Sequence, residues 1–246
     1  MVLIQYPIYP DVPMPTAFLD RLGDIFNAMD REYTRAAEHY QFQCDGCMDN
    51  CCLTRFYHHT HLEFYYLRMG FENLGSRKKS EILLKAEKVC LETAKADEKE
   101  IPVRVMCPLN DDSLCSLYPY RPMICRMHGI PHELQKPGQN LIHGPGCGTF
   151  DDRCATKPYY KFDRTPFYLE MAKLENEFKQ VAGLNGRIKM TIAEMIKSIG
   201  QGAERKAHSA WCMVQRTEGR GQSTEGRWLM PGLRCQPSRW SEKRPV

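Results

Sequence analysis

The stretch CDGCMDNCC, residues 44–52, puts four cysteines into nine positions and ends on an adjacent pair. Thiols this crowded oxidise unless something holds them as thiolates, so the fold around them must bring the sulfurs to a metal or bridge them to one another. The chain has 12 cysteines in 246 residues. Cys212 and Cys235 fall in the tail. Cys90 lies on an apolar helical stripe, where a free cysteine acts as a small hydrophobe. The others, Cys44, Cys47, Cys51, Cys52, Cys107, Cys115, Cys125, Cys147 and Cys154, all fall in one segment of the chain.

Spacing limits what these residues can do. Cys44 and Cys47 form C-x-x-C, whose turn lets two sulfurs converge on one ion, with Gly46 relaxing the backbone. Cys51 can come round to the same side. Neighbouring side chains diverge, so Cys52 is expected to serve a different centre from Cys51, or the pair to serve a larger cluster. Cys125 is expected in the first turn of a short helix, where the helix N-terminus, Arg121 and Arg126 favour its thiolate. Cys147 is framed as GPGCGTF, and glycines beside a thiolate allow close backbone approach and N–H···S bonds of the kind that tune iron–sulfur centres. Disulfides are the main competing reading. A thioredoxin-type redox pair fits less well, because no βαβ pattern surrounds Cys44. His58, His59, His61, His128 and His132 form a rival ligand set, and His128 is the first candidate to complete a site or move a proton.

The opening MVLIQYPIYPDVPMP lacks a basic segment and is broken by prolines, so it is not read as a secretory signal. No run approaches the roughly 18 apolar residues of a membrane span. The expected location is cytoplasmic, where clustered cysteines more often bind metal or do redox chemistry than pair. The net charge of +4 is unevenly spread. Residues 202–246 hold nine Lys/Arg against four Asp/Glu, so the basic excess belongs to the tail and no nucleic-acid-binding domain is indicated in the body.

Periodicity organises the rest. Phe18, Leu22, Ile25, Met29, Tyr33, Ala36 and Tyr40 predict a long amphipathic helix over 16–41 that delivers the chain into Cys44. Thr60 and Glu63 stand at capping-box spacing, and Gly70 can close the helix they open. A third helix is expected from Ser76 to about Asp97, with Leu83, Ala86, Cys90 and Thr93 inward. IPVRVMCPL alternates and reads as a short strand ending at Cys107. Residues 107–154 are loop-rich, with one short helix that has Pro122 at its first position and Gly129 beyond its end. Thr165-Pro166 opens another helix, with Phe167, Met171, Leu174, Phe178 and Val181 in phase and Gly183 at its close. Thr191 and Glu194 cap a last helix stopping near Gly200. From Gly202 the chain loses any period and reads as a basic, disordered tail; Arg and Trp contacts to RNA are a weaker reading of it.

The string CDGCMDNCC, followed by CPL, a further cysteine, LYPYRPMICR and a later cysteine, resembles the YkgJ-type cysteine-cluster family, a zinc- or iron-chelating domain. The resemblance covers residues 44–154. It implies Cys44, Cys47, Cys51, Cys52, Cys107, Cys115, Cys125 and Cys147 as metal ligands, with Tyr118, Arg121, Pro122 and Arg126 at the motif's other positions. Cys154 lies past the aligned part. A flagellin lysine N-methylase carries a similar cysteine-rich module, but no Gly-rich S-adenosylmethionine fingerprint, P-loop or dinucleotide motif is present here, so methyl transfer does not carry over.

The expected architecture is therefore mainly α, with a loop-rich cysteine/metal-binding centre and little β, over residues 1–201, and a disordered tail over 202–246. The expected function is to hold an iron–sulfur cluster, favoured by the large ligand count and glycine-framed Cys147, or zinc. The alternative is a metal-dependent protein-modifying or redox enzyme with an open iron position. Metal–thiolate bonds would stand in for a sparse core in the middle of the chain. Any protein partner or substrate is not readable from the residues.

Overall fold

The computed structural model describes residues 7, 9–43 and 51–203. Cys44 and Cys47, the expected first ligands, and residues 204–246, with the expected disorder and RNA contacts of the tail, lie outside the described residues. The chain divides at Gly200 into residues 1–200 and a second unit, 201–246, of which 201–203 are described, as helix.

The first unit is mainly helical. In order come α1 (Thr16–Tyr40), α2 (His61–Glu72), α3 (Ser76–Glu98), β1 (Asn110–Asp111), β2 (Leu114–Cys115), α4 (Met123–Met127), β3 (His132–Gln135), β4 (Leu141–Gly144), α5 (Gly148–Cys154) and α6 (Thr165–Ala182). A last helix, α7, runs over 192–203. The strands form two separate antiparallel hairpins, β1–β2 and β3–β4. Among the described residues no helix is long and apolar enough to cross a membrane.

α1 packs against α4 and α6, and α2 packs against α6. The apolar stripes that meet there include Leu22, Phe26 and Met29 of α1, Leu62 and Leu67 of α2, and Met171, Leu174 and Phe178 of α6, all buried. Each such side chain stabilises by about 1.5–3 kcal/mol. α1 ends where Gln41 turns left-handed (φ 50) and returns its N–H to Ala37 and Glu38, one residue short of the expected end. α6 ends on Gly183 at φ 64, as its sequence signals.

Several expectations are corrected. Gly70 does not close α2; it lies inside it, where a Cβ would stand 2.4 Å from Tyr120 Cγ, so the small residue serves close packing. Residues 101–107 form no ladder with any described residue. Their side chains nonetheless alternate, Val103, Val105 and Cys107 turned inward and Ile101, Arg104 and Met106 outward. The real strands were missed because they are short. β1–β2 turns through Asp112 and Ser113, both left-handed (φ 48 and 68), without the glycine that usually marks such a turn. α5 was likewise not expected. Pro122 is the N-cap of α4 rather than its first residue. Val181, expected inward on α6, is 67% exposed. α7 passes Gly200 and is still helical at residue 203. The middle of the chain has an ordinary core after all, with Leu109, Leu117, Met127, Ile130, Phe150 and Phe162 buried.

Candidate functional site

A cavity of about 260 Å³ has Cys51, Cys52, Cys107, Cys115 and Cys125 in its lining, together with Arg121. Cys51 and Cys52 sit on a short 3-10 turn, Cys51–Leu53, that precedes α2. The Cys107 N–H donates to the Cys52 carbonyl at 2.9 Å, which docks the later cysteines directly on the first group. Hairpin β1–β2 then reverses the chain, so that Cys107 enters it and Cys115 leaves it. Backbone N–H groups of Leu109 and Asn110 hydrogen-bond to the Cys107 sulfur, and that of Leu117 to the Cys115 sulfur. No disulfide joins any two of the described cysteines.

The vicinal pair does not diverge as expected. Both residues line the same cavity, and the Cys51 thiol hydrogen-bonds to Cys52. That bond, followed by the Asn110 amide and the Arg121 guanidinium, outweighs burial and lowers the Cys52 pKa to about 6. The remaining thiols go the other way. Burial pushes Cys107 up to about 12, with the Cys52 and Cys115 charges adding to the effect. Burial also raises Cys115, and Cys125 is raised well above a normal thiol, first by burial and then by Cys107, Cys115 and Cys52. Of the two arginines expected to favour the Cys125 thiolate, Arg121 does lower its pKa, though less than burial and like charge raise it, and Arg126 is engaged by Asp30 and the Pro119 and Arg121 carbonyls.

Cys147 stands apart from this wall. It is the N-cap of α5; its N–H donates to the Gly129 carbonyl at 3.0 Å. A Cβ at Gly129, where φ is +107, would lie 3.8 Å from the Cys147 sulfur and 3.5 Å from the Phe42 ring. Cys147 thus lies beside the chain that leads into residues 44–50, while Cys51 and Cys52 stand at the other end of that segment. Cys154 is buried at the end of α5 and its thiol donates to the Tyr40 carbonyl at 3.5 Å. Cys90 is buried on α3, as a small hydrophobe would be. Among the described residues no three His, Cys, Asp or Glu side chains are arranged as they stand to hold a metal ion.

The histidines divide by role. His128 does not itself line the cavity but packs its ring at 5.0 Å on Phe56, which does. His61 Nδ1 lies 2.7 Å from Glu175 Oε1 on α6. His58 lines the cavity at 2% exposure; neither ring nitrogen has a hydrogen-bond partner, and burial lowers its pKa, so it is neutral at pH 7. Its nearest carboxylate oxygen, Glu63 Oε1, is 3.9 Å from Nδ1.

Short helix α4, which carries Cys125, is tied at both ends by side chains that sequence reasoning missed. At the start, Glu63 Oε1 accepts the Met123 N–H at 3.0 Å, while Oε2 accepts the Thr60 hydroxyl at 2.7 Å. The capping box is therefore half realised: Thr60 caps the Glu63 N–H, but the carboxylate serves a different helix. At the far end, buried Arg164 donates to the carbonyls of Met127 and Ile130. Burial lowers its pKa to about 10, which still leaves it charged. Arg126 fixes the middle, donating to Asp30 Oδ2 at 2.6 Å and to the Pro119 and Arg121 carbonyls, with its guanidinium over the Phe26 ring. The only sequence trace of these ties was the Thr60/Glu63 spacing. No family model, curated protein or solved structure matches the chain.

Proposed function

We propose that this chain is a cysteine-cluster protein of the YkgJ type that holds an iron–sulfur cluster or zinc through thiolates from residues 44–52 and 107–147. The observation that carries the reading is that Cys51, Cys52, Cys107, Cys115 and Cys125 line one cavity. The donor set fits such a group. Thiolates are the soft ligands that zinc and iron–sulfur clusters select. The N–H groups aimed at Cys107 and Cys115 are the outer-shell bonds that stabilise metal-bound sulfur. Without a cation the wall settles with one acidic thiol, Cys52, among thiols pushed upward, a pattern that a bound cation would reverse.

Cys52, Cys107, Cys115 and Cys125 would form the principal ligand group, with Cys51 beside it. Cys147 would serve with Cys44 and Cys47. Arg121 would offset the negative charge of the thiolates. When bound, zinc would supply a structural tie, and an iron–sulfur cluster would supply electron transfer or an iron site.

A second reading, a metal-dependent protein-modifying or redox enzyme, is favoured by one observation: the thiol wall borders an open cavity and not packed core. Anaerobic purification followed by visible absorption and analysis for iron, zinc and sulfide separates the cases. Brown protein with iron and acid-labile sulfide supports the cluster, and stoichiometric zinc in colourless protein supports the zinc form. A chain with neither metal refutes both.

A further inference from the structure

His58 is a buried polar side chain that packing alone does not explain. It lines the same cavity as Cys51, Cys52, Cys107, Cys115 and Cys125. Its exposure is 2%, and among the described residues neither Nδ1 nor Nε2 has a hydrogen-bond partner. A neutral imidazole carries one N–H and one lone pair, so a donor and an acceptor are both cut off from water with nothing in exchange. Buried polar groups are nearly always satisfied, and an orphaned one marks a place where a partner binds. We infer that His58 is a ligand of the metal centre, coordinating through Nε2 with its Nδ1–H turned to Glu63; this rests on the thiolate function proposed above.

The fold holds the ring near the cysteines. His58 and Met190 exchange backbone hydrogen bonds at 2.8 and 3.1 Å in an isolated antiparallel bridge, which fixes the main chain and takes neither ring nitrogen. On the other side stands Glu63. Its Oε1 lies 3.9 Å from His58 Nδ1 and accepts the Met123 N–H at 3.0 Å, two residues before Cys125. His58 and the start of the helix that carries Cys125 therefore face one carboxylate oxygen. Of the described histidines, only His58 lines the cavity, and the nearby His61 is engaged by Glu175 at 2.7 Å.

Glu63 also selects the nitrogen. A metal-bound histidine commonly gives its other N–H to a carboxylate, which fixes the ring and raises its basicity. At 3.9 Å the pair is too long for a hydrogen bond, but the oxygen lies on the Nδ1 side, where an N–H and not a lone pair belongs. That leaves the Nε2 lone pair for the cation. Among the described residues no three donors are placed to hold a metal as they stand, so coordination requires ring and sulfurs to close on the ion. A neutral imidazole suits zinc and iron alike, and it gives up no proton on binding, whereas each thiol must.

The test is spectroscopy on the full-length protein, purified anaerobically, with iron and zinc measured on the same samples. X-ray absorption at the edge of the bound metal reads imidazole by its outer-shell scattering. For an iron–sulfur cluster, pulsed electron paramagnetic resonance of the reduced protein reads a coordinated nitrogen directly. Wild type should show an imidazole nitrogen at the metal. That signal should vanish in His58→Phe, which keeps a ring without nitrogens, and persist in His128→Phe. Metal affinity in His58→Phe should fall at least about tenfold, the scale on which even outer-shell partners act. His58→Cys should lack the nitrogen signal yet hold more metal than His58→Phe, a rescue that a packing role for the ring does not predict. Metal-loaded wild type with no nitrogen ligand, a nitrogen signal that survives in His58→Phe or His58→Cys, one lost equally in His128→Phe, or a cysteine variant no better loaded than the phenylalanine one would overturn the assignment and leave the thiolate function standing. Wild type with neither iron nor zinc would overturn both.

Discussion

Glu63 of α2 reaches across to α4 and accepts the Met123 backbone N–H at 3.0 Å, two residues before Cys125. Glu63 is itself held by a helix anchored in the same way, because Glu175 of α6 accepts the N–H groups of His61 and Leu62 at 2.9 and 3.1 Å. Two buried carboxylates thus cap two helix starts in series, and the position of Cys125 follows from both. Removing the oxygen should leave a buried N–H and the Thr60 hydroxyl unpaired. Glu63→Ala is expected to cost about 2–3 kcal/mol in urea unfolding, and Glu63→Gln, which keeps an acceptor, about 1 kcal/mol. Equal losses in the two variants would mean that the carboxylate's bonds to Met123 and Thr60 contribute nothing.

Gly70 belongs to the same neighbourhood. The Tyr120 side chain occupies the space that a Cβ at position 70 would need, and Arg121 follows Tyr120 directly. Gly70→Ala should therefore cost about 1–3 kcal/mol by overpacking, despite alanine's better helix propensity. A stabilised Gly70→Ala protein in the same unfolding experiment would contradict this packing.

Acid should weaken the fold before it protonates carboxylates. Burial depresses His58; burial first, and then the Arg164 charge, depress His132 to about 4. Below the usual histidine value of ~6.5 the unfolded chain takes up protons that the folded chain refuses. Stability is then full above about pH 6.5 and declines as pH falls toward 4. His132→Phe should recover about 1 kcal/mol of that loss at pH 5 relative to pH 7, measured by urea unfolding. A decline that is just as steep in the variant would place the titration elsewhere.

Helices were legible in the sequence because their signals are long or chemically distinct. The 3.6 period of α1 and the glycine closing α6 needed no tertiary information. Hairpin β1–β2 has no glycine in its turn, and only its contacts with the cysteine wall reveal it. The inward pair Val103 and Val105 was visible as alternation, but alternation does not say whether a ladder or a cavity lies opposite. The Cys125 environment was only partly legible for a similar reason. Sequence shows Arg121 and Arg126 beside it, and only the fold shows Arg126 turned to Asp30 and the thiol buried. Cys51, Cys52, Cys107, Cys115 and Cys125 line one cavity and Cys147 does not, a division that spacing alone does not reveal.

Metal uptake should displace protons, since thiols held protonated by burial must give them up to coordinate. Titrating the metal-free chain with zinc in weak buffer is expected to acidify the solution, and the zinc affinity should rise at least tenfold from pH 6 to pH 8. Zinc binding without proton release would point to ligands other than these cysteines.

The most direct measurement is metal per chain, by elemental analysis, in anaerobically purified wild type, Cys52→Ser, Cys107→Ser, Cys125→Ser and Cys90→Ser. A thiolate centre on the cavity wall requires wild type and Cys90→Ser to carry the same iron or zinc, and the three wall variants to lose most of it. Wild-type protein without metal, or wall variants as fully loaded as Cys90→Ser, would contradict it.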